Sequence, residues 1–422
     1  MAAQAETNVL GLELERVREK VKTLFDRDDK FYSSLEKKPT EVVSNRDMRI
    51  PLELRPGGKF GQYDPDGGSL GRGGGIQYDK AVINTVHLKH AVEWTAKSQW
   101  ATDSKRKAVL DSFRDALAKQ LDEFRRHLDS LCMTDGTGVL ATVSTYSVGT
   151  GTGGGDRLTL ATDGFGARLL RFGQNVNIYN AALSTNRTAG LEREINFYDL
   201  ANKIVDITPS VATGIATDKV VISGVTATPP VSLLGVPYHH SNASSGTWLG
   251  FPRSTTPEIR ASRVAAGGAL ALPFARLAIN KIADRVGIDN GMRLEAWLHR
   301  CQMQAYEELG QLVSQIHKQA SNENLNMYFS DNMQLAGAPC RPSMSWDKTR
   351  IDFITDVWGR AEMHEVDYYK DPSSGRKIFE VRGTDGGVVA AWLFYLVTSF
   401  NIFVDNPAAC SYIDTLTVPS GY

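Results

Sequence analysis

Apolar positions along this 422-residue chain follow two periods. Over Asp103–Met133, residues Leu110, Phe113, Leu117, Leu121, Phe124, Leu128 and Leu131 recur at intervals of three and four, which puts them on one stripe of an α-helix. Asp103 or Ser104 can cap its start, and Gly136 can supply the left-handed turn past its end. At ~1.5 Å per residue the helix is roughly 43 Å long, against about 11–12 residues for a mean globular helix. It reads as a spine on which separate parts of the subunit are hung. A first amphipathic helix is predicted over 9–38, with Leu10, Leu14, Val17, Val21, Leu24, Phe31 and Leu35 on one stripe, Asp28 interrupting it and Pro39 closing it. A polar, extended arm follows over Thr40–Ile50.

The second period is two. Ala81–Thr95 sets Val86, Leu88, Val92 and Trp94 against Thr85, His87, Lys89 and Glu93, the pattern of a long half-buried strand. Further strands are predicted at Val139–Val148, Leu158–Ala161, Asn202–Thr208, Lys219–Ser223, Met327–Phe329, Ile351–Asp356, Lys377–Arg382 and Val388–Val404. Pro273 opens a helix that runs to Val286, with Leu277, Ile282 and Val286 on one face and Gly287 as its stop. Another helix is predicted over about Arg293–Lys318. Helices and strands in this order make a mixed α+β protein.

Between the arm and the period-two strand lies Arg55–Gly75, with nine glycines in the nineteen residues from Gly57 to Gly75. Such a segment cannot recover its ordering entropy by local burial and should be mobile in an isolated subunit. A glycine-rich flank on a long ribbon that leads into a long helix describes an arm reaching out of the subunit.

Composition narrows the function classes. With a net charge of −1, nothing in the global balance advertises a nucleic-acid coat or an acidic tail. Cys132, Cys301, Cys340 and Cys410 are too far apart in sequence for a metal or redox pair, and read as buried thiols in a reducing compartment. Val388–Val404 is apolar but short for a membrane span, is interrupted by Thr398, Ser399 and Asn401, and suits buried strands better.

Candidate chemistry is sparse. Gly149-Thr-Gly-Thr-Gly-Gly154 has the letters of a dinucleotide fingerprint, but a strand-like run follows where the fingerprint needs a helix. Gly67-Gly-Ser69-Leu-Gly71 has the letters of a nucleophile elbow, within a loop too glycine-rich to hold a nucleophile still. His239 and His240 would point to opposite faces of a strand and could not chelate one ion. Glu362–Asp367 gathers acids around His364, as a surface turn before a strand, without the zincin pair. No catalytic residue, cofactor or metal is expected. Lys105, Arg106 and Lys107 crowd the spine's N-terminal turn, where the helix dipole disfavours cations. They are either solvated surface charges or partners of an acidic neighbour.

The order of these parts resembles the major capsid proteins of tailed bacteriophages, whose fold is named after a Hong Kong phage. Local text agrees: Thr134-Asp-Gly-Thr-Gly-Val-Leu-Ala141 at the spine's end, Ser232-Leu-Leu-Gly-Val-Pro-Tyr238 with Leu249-Gly-Phe-Pro-Arg-Ser254, and the closing Asn406-Pro-Ala-Ala-Cys410 and Thr417–Tyr422. The resemblance implies an N-terminal helical arm (1–50), an E-loop hairpin (51–100) and the spine with peripheral-domain strands (101–164). It further implies an axial domain (165–325) and a stretch that supplies more peripheral strands before returning to the axial domain (326–422). The arm is expected to be retained. The implied product is an icosahedral shell of hexamers and pentamers enclosing double-stranded DNA, assembled in the host bacterial cytoplasm. The implied partners are other copies of the chain, portal protein, scaffolding or decoration proteins, and DNA held non-specifically, with no membrane. Arg55, Lys59, Arg72, Lys80, Lys105, Arg106 and Lys107 are the candidate inter-subunit contacts. Lys59 and Lys80 are lysines of the type some relatives use for an isopeptide cross-link, which is not expected here. The alternatives are an encapsulin-type cellular compartment and, from another class, a nucleotide-binding α/β enzyme using Gly149–Gly154.

Overall fold

The computed structural model describes residues 30–37, 47–55, 57–62, 65–66, 71–97, 112–161, 165–188, 191–225, 227–318, 334–355, 358–383 and 387–420. Most of helix 9–38, the spine's first turns with Lys105, Arg106 and Lys107, Gly67–Leu70 and the strand expected at Met327–Phe329 lie outside them. The chain divides into two units. One gathers residues up to Ser34, Thr85–Ser130 and Glu362–Phe400; the other gathers Leu35–Asn84, Leu131–Ala361 and Asn401 onward.

In the second unit β1 (Glu36–Lys37) pairs in parallel with Gly359 and Arg360. Strands β2 (Asp47–Arg55) and β3 (Gln77–Asn84) form a two-stranded antiparallel ribbon, in register from Asp47–Asn84 to Arg55–Gln77 with one irregularity at Glu53/Arg55. The long strand expected over Ala81–Thr95 is divided at Thr85. Its first half is β3 and its second is β4 (Val86–Thr95), which belongs to the other unit and takes a different partner.

The first unit is built on the helix Ser112–Leu131. Of its expected stripe, Phe124, Leu128 and Leu131 are buried and Leu121 is half-buried. The opposite side is buried too. Asp129 accepts hydrogen bonds from the Phe31 and Tyr32 amides at 3.1 and 3.0 Å and so caps the short helix Lys30–Ser34, while the buried Arg126 donates to Ser130 at 2.6 Å. Thr134 N–H donates to the Leu131 carbonyl, and Gly136 takes φ +95°, the left-handed turn its position required.

Past that turn, β5 (Val139–Ser147), β6 (Asp156–Leu160), β7 (Asn175–Tyr179), β8 (Arg193–Asp199), β9 (Ile204–Thr208) and β10 (Lys219–Ile222) close into an antiparallel barrel in the order β10-β5-β6-β9-β8-β7. Val143, Leu158, Val176, Ile178, Ile195, Val205, Ile207 and Val220 fill it. The barrel crosses the domain boundary placed at 164/165, and β5 and β6 fall in a different unit from the spine with which they were grouped. Four of the six strands were readable in the sequence and β7 and β8 were not; closure depends on pairings between distant strands, which local periodicity does not encode.

After the two-residue strands β11 (Thr247–Trp248) and β12 (Phe251–Pro252) comes β13 (Ser262–Gly268). The helix Leu272–Val286 follows and stops at Gly287 as expected. It buries Ala275, Ala278 and Ile282, whereas Leu277 is exposed, because small residues let the helix lie close to the sheet. The helix expected from Arg293 begins at Arg300. Glu295–Leu298 is instead β14, buried between neighbouring strands, since a four-residue apolar run reads equally as helix or strand and tertiary pairing decides. With β15 (Gln334–Leu335), β16 (Ala338–Pro342), β17 (Ile351–Ile354) and β21 (Ser411–Leu416), it completes a sheet ordered β13-β21-β17-β14-β16-β15. Ile351, Phe353, Ala296, Leu298 and Ile413 form its core with the Leu272–Val286 helix.

The remaining strands are β18 (Trp358–Tyr368), β19 (Phe379–Arg382) and β20 (Val388–Val404). In the first unit β20 pairs with β4 over ten residues, Ala391–Phe400 against Thr95–Val86. The alternation on β4 holds: Val92 and Trp94 are buried, and Trp94 packs on Phe394 with ring centroids 5.6 Å apart. Glu362–Asp367 lies within β18, a correction to the turn expected there. No described helix is long and apolar enough to cross a membrane.

Candidate functional site

Of the sequence motifs with enzymatic letters, the Gly149–Gly154 run meets a structural explanation, while Gly67–Leu70 lie outside the described residues. The Gly149–Gly155 loop is the hairpin turn between β5 and β6, and the next element is a strand. Its donors are already taken by the chain's own carboxylates. Gly149 N–H donates to Asp156 Oδ1 at 2.8 Å, and Thr152 donates to Asp206 Oδ2 from both N–H and Oγ1 at 2.8 Å. Arg157 adds two bonds to Asp206 at 2.9 Å, and holds its carboxyl below the usual range. A loop whose amides are neutralised this way offers nothing to a pyrophosphate.

His239 and His240 sit on the short helix Val236–His239 and its cap, rather than on a strand, and both are fully buried. They take separate partners. His239 Nε2 lies 3.0 Å from the Ile402 carbonyl and Trp248 Nε1–H donates to its Nδ1 at 3.1 Å; burial holds it neutral, with a pKa of about 3. His240 Nδ1 lies 2.8 Å from Asp352 Oδ1, and Arg350 and Trp346 also donate to that carboxylate. Burial disfavours charge on His240, yet Cys410 and Asp352 together hold its pKa above the ordinary histidine value. Burial likewise opposes the Asp352 charge and is outweighed by Arg350, which keeps that carboxyl low. The arrangement ties β17 and β21 to the Val236–His239 segment. His240 and Asp352 are buried within it, and it serves the fold. Sequence reasoning missed it because its members are more than a hundred residues apart. All four cysteines are free and buried, and no three His, Cys, Asp or Glu side chains among the described residues are grouped to hold a metal ion.

What remains is surface, and the β2–β3 ribbon is the part of it that its own unit leaves least covered. At its base Met48, Ala81 and Ile83 are buried, and Val82 N–H donates to the Leu249 carbonyl at 3.3 Å. Outward from Lys80 every described residue of β3 is exposed. At ~3.4 Å per residue, β2 alone spans about 30 Å. Gly58 N–H donates to the Gly74 carbonyl at 3.0 Å, which continues the pairing into the glycine-rich tip. Gly57, at φ +70°, has the Gly75 backbone 2.6 Å from where a Cβ would stand, so the limbs approach as they do only because residue 57 is glycine.

Of the expected contact residues, Arg55, Lys59, Arg72 and Lys80 all lie on this ribbon or its tip and are exposed. Three large apolar side chains accompany them: Phe60 is wholly exposed, and Ile76 and Tyr78 are more than half exposed. The sequence reading named the cations and passed over these, although aromatic residues in a glycine-rich stretch with no core to join were the available signal.

A second surface feature belongs to the same unit. A cavity of about 250 Å³ opens beside the turn that leads into the first barrel strand, lined by Met133, Phe165, Pro237 and Trp346 among apolar groups, by Asp135, Asp347 and Asp352 among acids, and by Arg350.

Comparison with solved structures gives the whole fold a precedent. A chain of the cyanophage A-1(L) capsid asymmetric unit matches with a TM-score of 0.53 at 11% identity, covering 96% of this chain and 97% of that one. A capsid chain of the native GTA particle matches at 12% identity over 99% of both chains, with a TM-score of 0.45. A chain of the holo-SrpI encapsulin complex from Synechococcus elongatus matches at 8% identity over 100% and 99%, with a TM-score of 0.43. No protein-family model and no curated protein matches the chain. At 11% identity what is shared with the cyanophage chain is architecture: this chain has the fold of that phage capsid chain.

Proposed function

We propose that the chain is the major capsid subunit of a tailed bacteriophage. Copies associate as hexamers and pentamers into an icosahedral shell around double-stranded DNA. The observation that carries the reading is the end-to-end correspondence with the cyanophage capsid chain. The ribbon supports it: a long two-stranded arm with exposed aromatic and cationic side chains is costly for a monomer and useful in a lattice. In this reading the ribbon is the E-loop and Ser112–Leu131 the spine. The unit containing β4, β18, β19 and β20 is the peripheral domain, and the β13–β21 sheet with its helices is the axial domain. A net charge of −1 suits a wall that confines DNA without gripping its phosphates.

Recombinant protein purified without partners, and particles from a lysate of infected cells, test this by sedimentation and negative-stain microscopy. Closed particles of many copies are expected, with DNA inside those from infected cells. Particles carrying a protein cargo and no DNA would move the assignment to an encapsulin-type compartment. A monomer or dimer under all assembly conditions would end it.

A further inference from the structure

In the second unit Arg157, Arg187 and Arg350 each take a carboxylate, those of Asp206, Asp218 and Asp352, at 2.9, 2.7 and 2.7 Å. Three neighbouring arginines do not. Arg253, on the loop after β12, donates to the Tyr238 and Ser241 carbonyls at 2.7 and 3.0 Å and lies over the Tyr238 ring. Arg260, just before β13, donates to the Arg253 carbonyl from Nε at 2.7 Å and again from Nη2. Arg285, in the last turn of the Leu272–Val286 helix, donates to the Arg260 carbonyl, the Ser262 hydroxyl and, at 2.9 Å, the Pro257 carbonyl. The three are thus linked in series through their backbones. A guanidinium has more N–H donors than these bonds use. Arg253 is 4% exposed, Arg260 half-buried and Arg285 exposed, so the series runs from the interior of its unit to solvent.

Charge is left over as well. Burial, and then repulsion from Arg260, pushes the Arg253 and Arg285 guanidiniums below the ordinary arginine value, against the pull of Glu258 on Arg285. Glu258, Asp284 and Asp289, the acids nearest in the chain, form no ion pair with the three arginines, and Asp414 is taken by Arg263 at 2.6 Å. Lys281 adds a further cation, donating to the Arg263 carbonyl at 2.6 Å. Forked donors of this kind match the oxygens of carboxylates and phosphates. Several guanidiniums around one ligand favour phosphate, which brings more charge and more acceptor oxygens than a carboxylate.

We propose that Arg253, Arg260 and Arg285 form a binding site for a phosphate-class oxyanion, with Arg260 and Arg285 donating to it and the buried Arg253 supplying charge from beneath. The site does not depend on the shell reading.

Calorimetric titration of sodium phosphate into full-length, unassembled protein tests it, with sodium chloride at matched ionic strength as the comparison. Saturable binding with a Kd near about 1 mM is expected; at that affinity micromolar nucleotide leaves the melting temperature unchanged. Arg260→Gln and, separately, Arg285→Gln should each weaken binding about tenfold or more. Arg276→Gln, at an exposed arginine of the same helix, should leave it unchanged. Circular dichroism checks that each variant is folded, and Arg260→Lys, which keeps the charge and loses the fork, should bind with intermediate affinity. A second titration, with a short oligodeoxynucleotide lacking terminal phosphates, separates the sources. Binding of phosphate alone assigns the site to the free anion, and binding of both, each lost in Arg260→Gln, extends it to a polynucleotide backbone. No saturable binding of phosphate to the unmodified chain up to about 20 mM overturns the proposal. Equal binding of chloride, or phosphate binding that survives both glutamine substitutions, overturns it too.

Discussion

Asp352→Ala tests how the subunit body is held together. Asp352 is 1% exposed and accepts from three side chains: His240 at 2.8 Å, Trp346 at 3.0 Å, and Arg350 through Nε and Nη2 at 2.8 and 2.7 Å. Removing it leaves a guanidinium whose side chain is 15% exposed without its counter-charge, and two ring N–H groups without an acceptor. Breaking a buried pair by deleting one partner costs about 3–5 kcal/mol. Arg350 keeps its bond to the His240 carbonyl at 2.9 Å and its position 4.1 Å over the Tyr412 ring, so the lower half of that range is expected, about 3–4 kcal/mol. Urea unfolding of dilute, unassembled subunits, followed by tryptophan fluorescence, measures it. Replacing both charges, Arg350→Met with Asp352→Leu, should recover part of the loss because no unpaired charge remains. A loss below about 1 kcal/mol for Asp352→Ala would refute the network's role.

Acid should destabilise the subunit through His239. Its folded pKa of about 3 lies below the ordinary value of 6.5, so between those pH values the unfolded chain binds a proton that the folded chain refuses. Stability therefore falls as pH drops through that window, by on the order of 4–5 kcal/mol for this group, and His239→Gln should flatten the acid limb of a melting-temperature profile. His240 acts with the opposite sign. Its raised pKa contributes stability that is present below pH ~6.5 and is lost as pH rises through the folded value, so Asp352→Ala should reduce the alkaline fall of the same profile. In the barrel, Asp206→Ala strands the Thr152 and Arg157 donors and should cost about 1–3 kcal/mol by chemical denaturation, and neither nucleotides nor dinucleotides should raise the melting temperature of the unmodified chain. Gly155→Ala would set a Cβ 2.0 Å from the Ile207 carbonyl where β6 meets β9, and should lower the melting temperature by roughly 4 °C or more.

What was legible in the sequence was local. The spine's stripe, the Gly136 turn, the Leu272–Val286 helix between its proline and glycine, and the β4 alternation all follow from side-chain period and backbone preference over neighbouring residues. What was not legible depends on partners far along the chain. Barrel closure joins β5 to β10 across about eighty residues, β14 becomes a strand because β16 and β17 flank it, and the His240–Asp352–Arg350 cluster is assembled from separate segments. Of the candidate surface, the sequence located the exposed cations. Arg55, Lys59, Arg72 and Lys80 fall on the exposed ribbon, whereas Phe60, Ile76 and Tyr78 were overlooked because isolated apolar residues in a glycine-rich segment carry no periodicity. The cavity could not have been foreseen, since it is formed by residues from four parts of the chain.

The central claim is that this chain builds a closed shell, and cryo-electron microscopy of the purified particles tests it most directly. The account predicts icosahedral particles whose repeating density fits this fold. Symmetric particles whose density rejects the fold, or a preparation that stays monomeric or dimeric under every assembly condition, would contradict it.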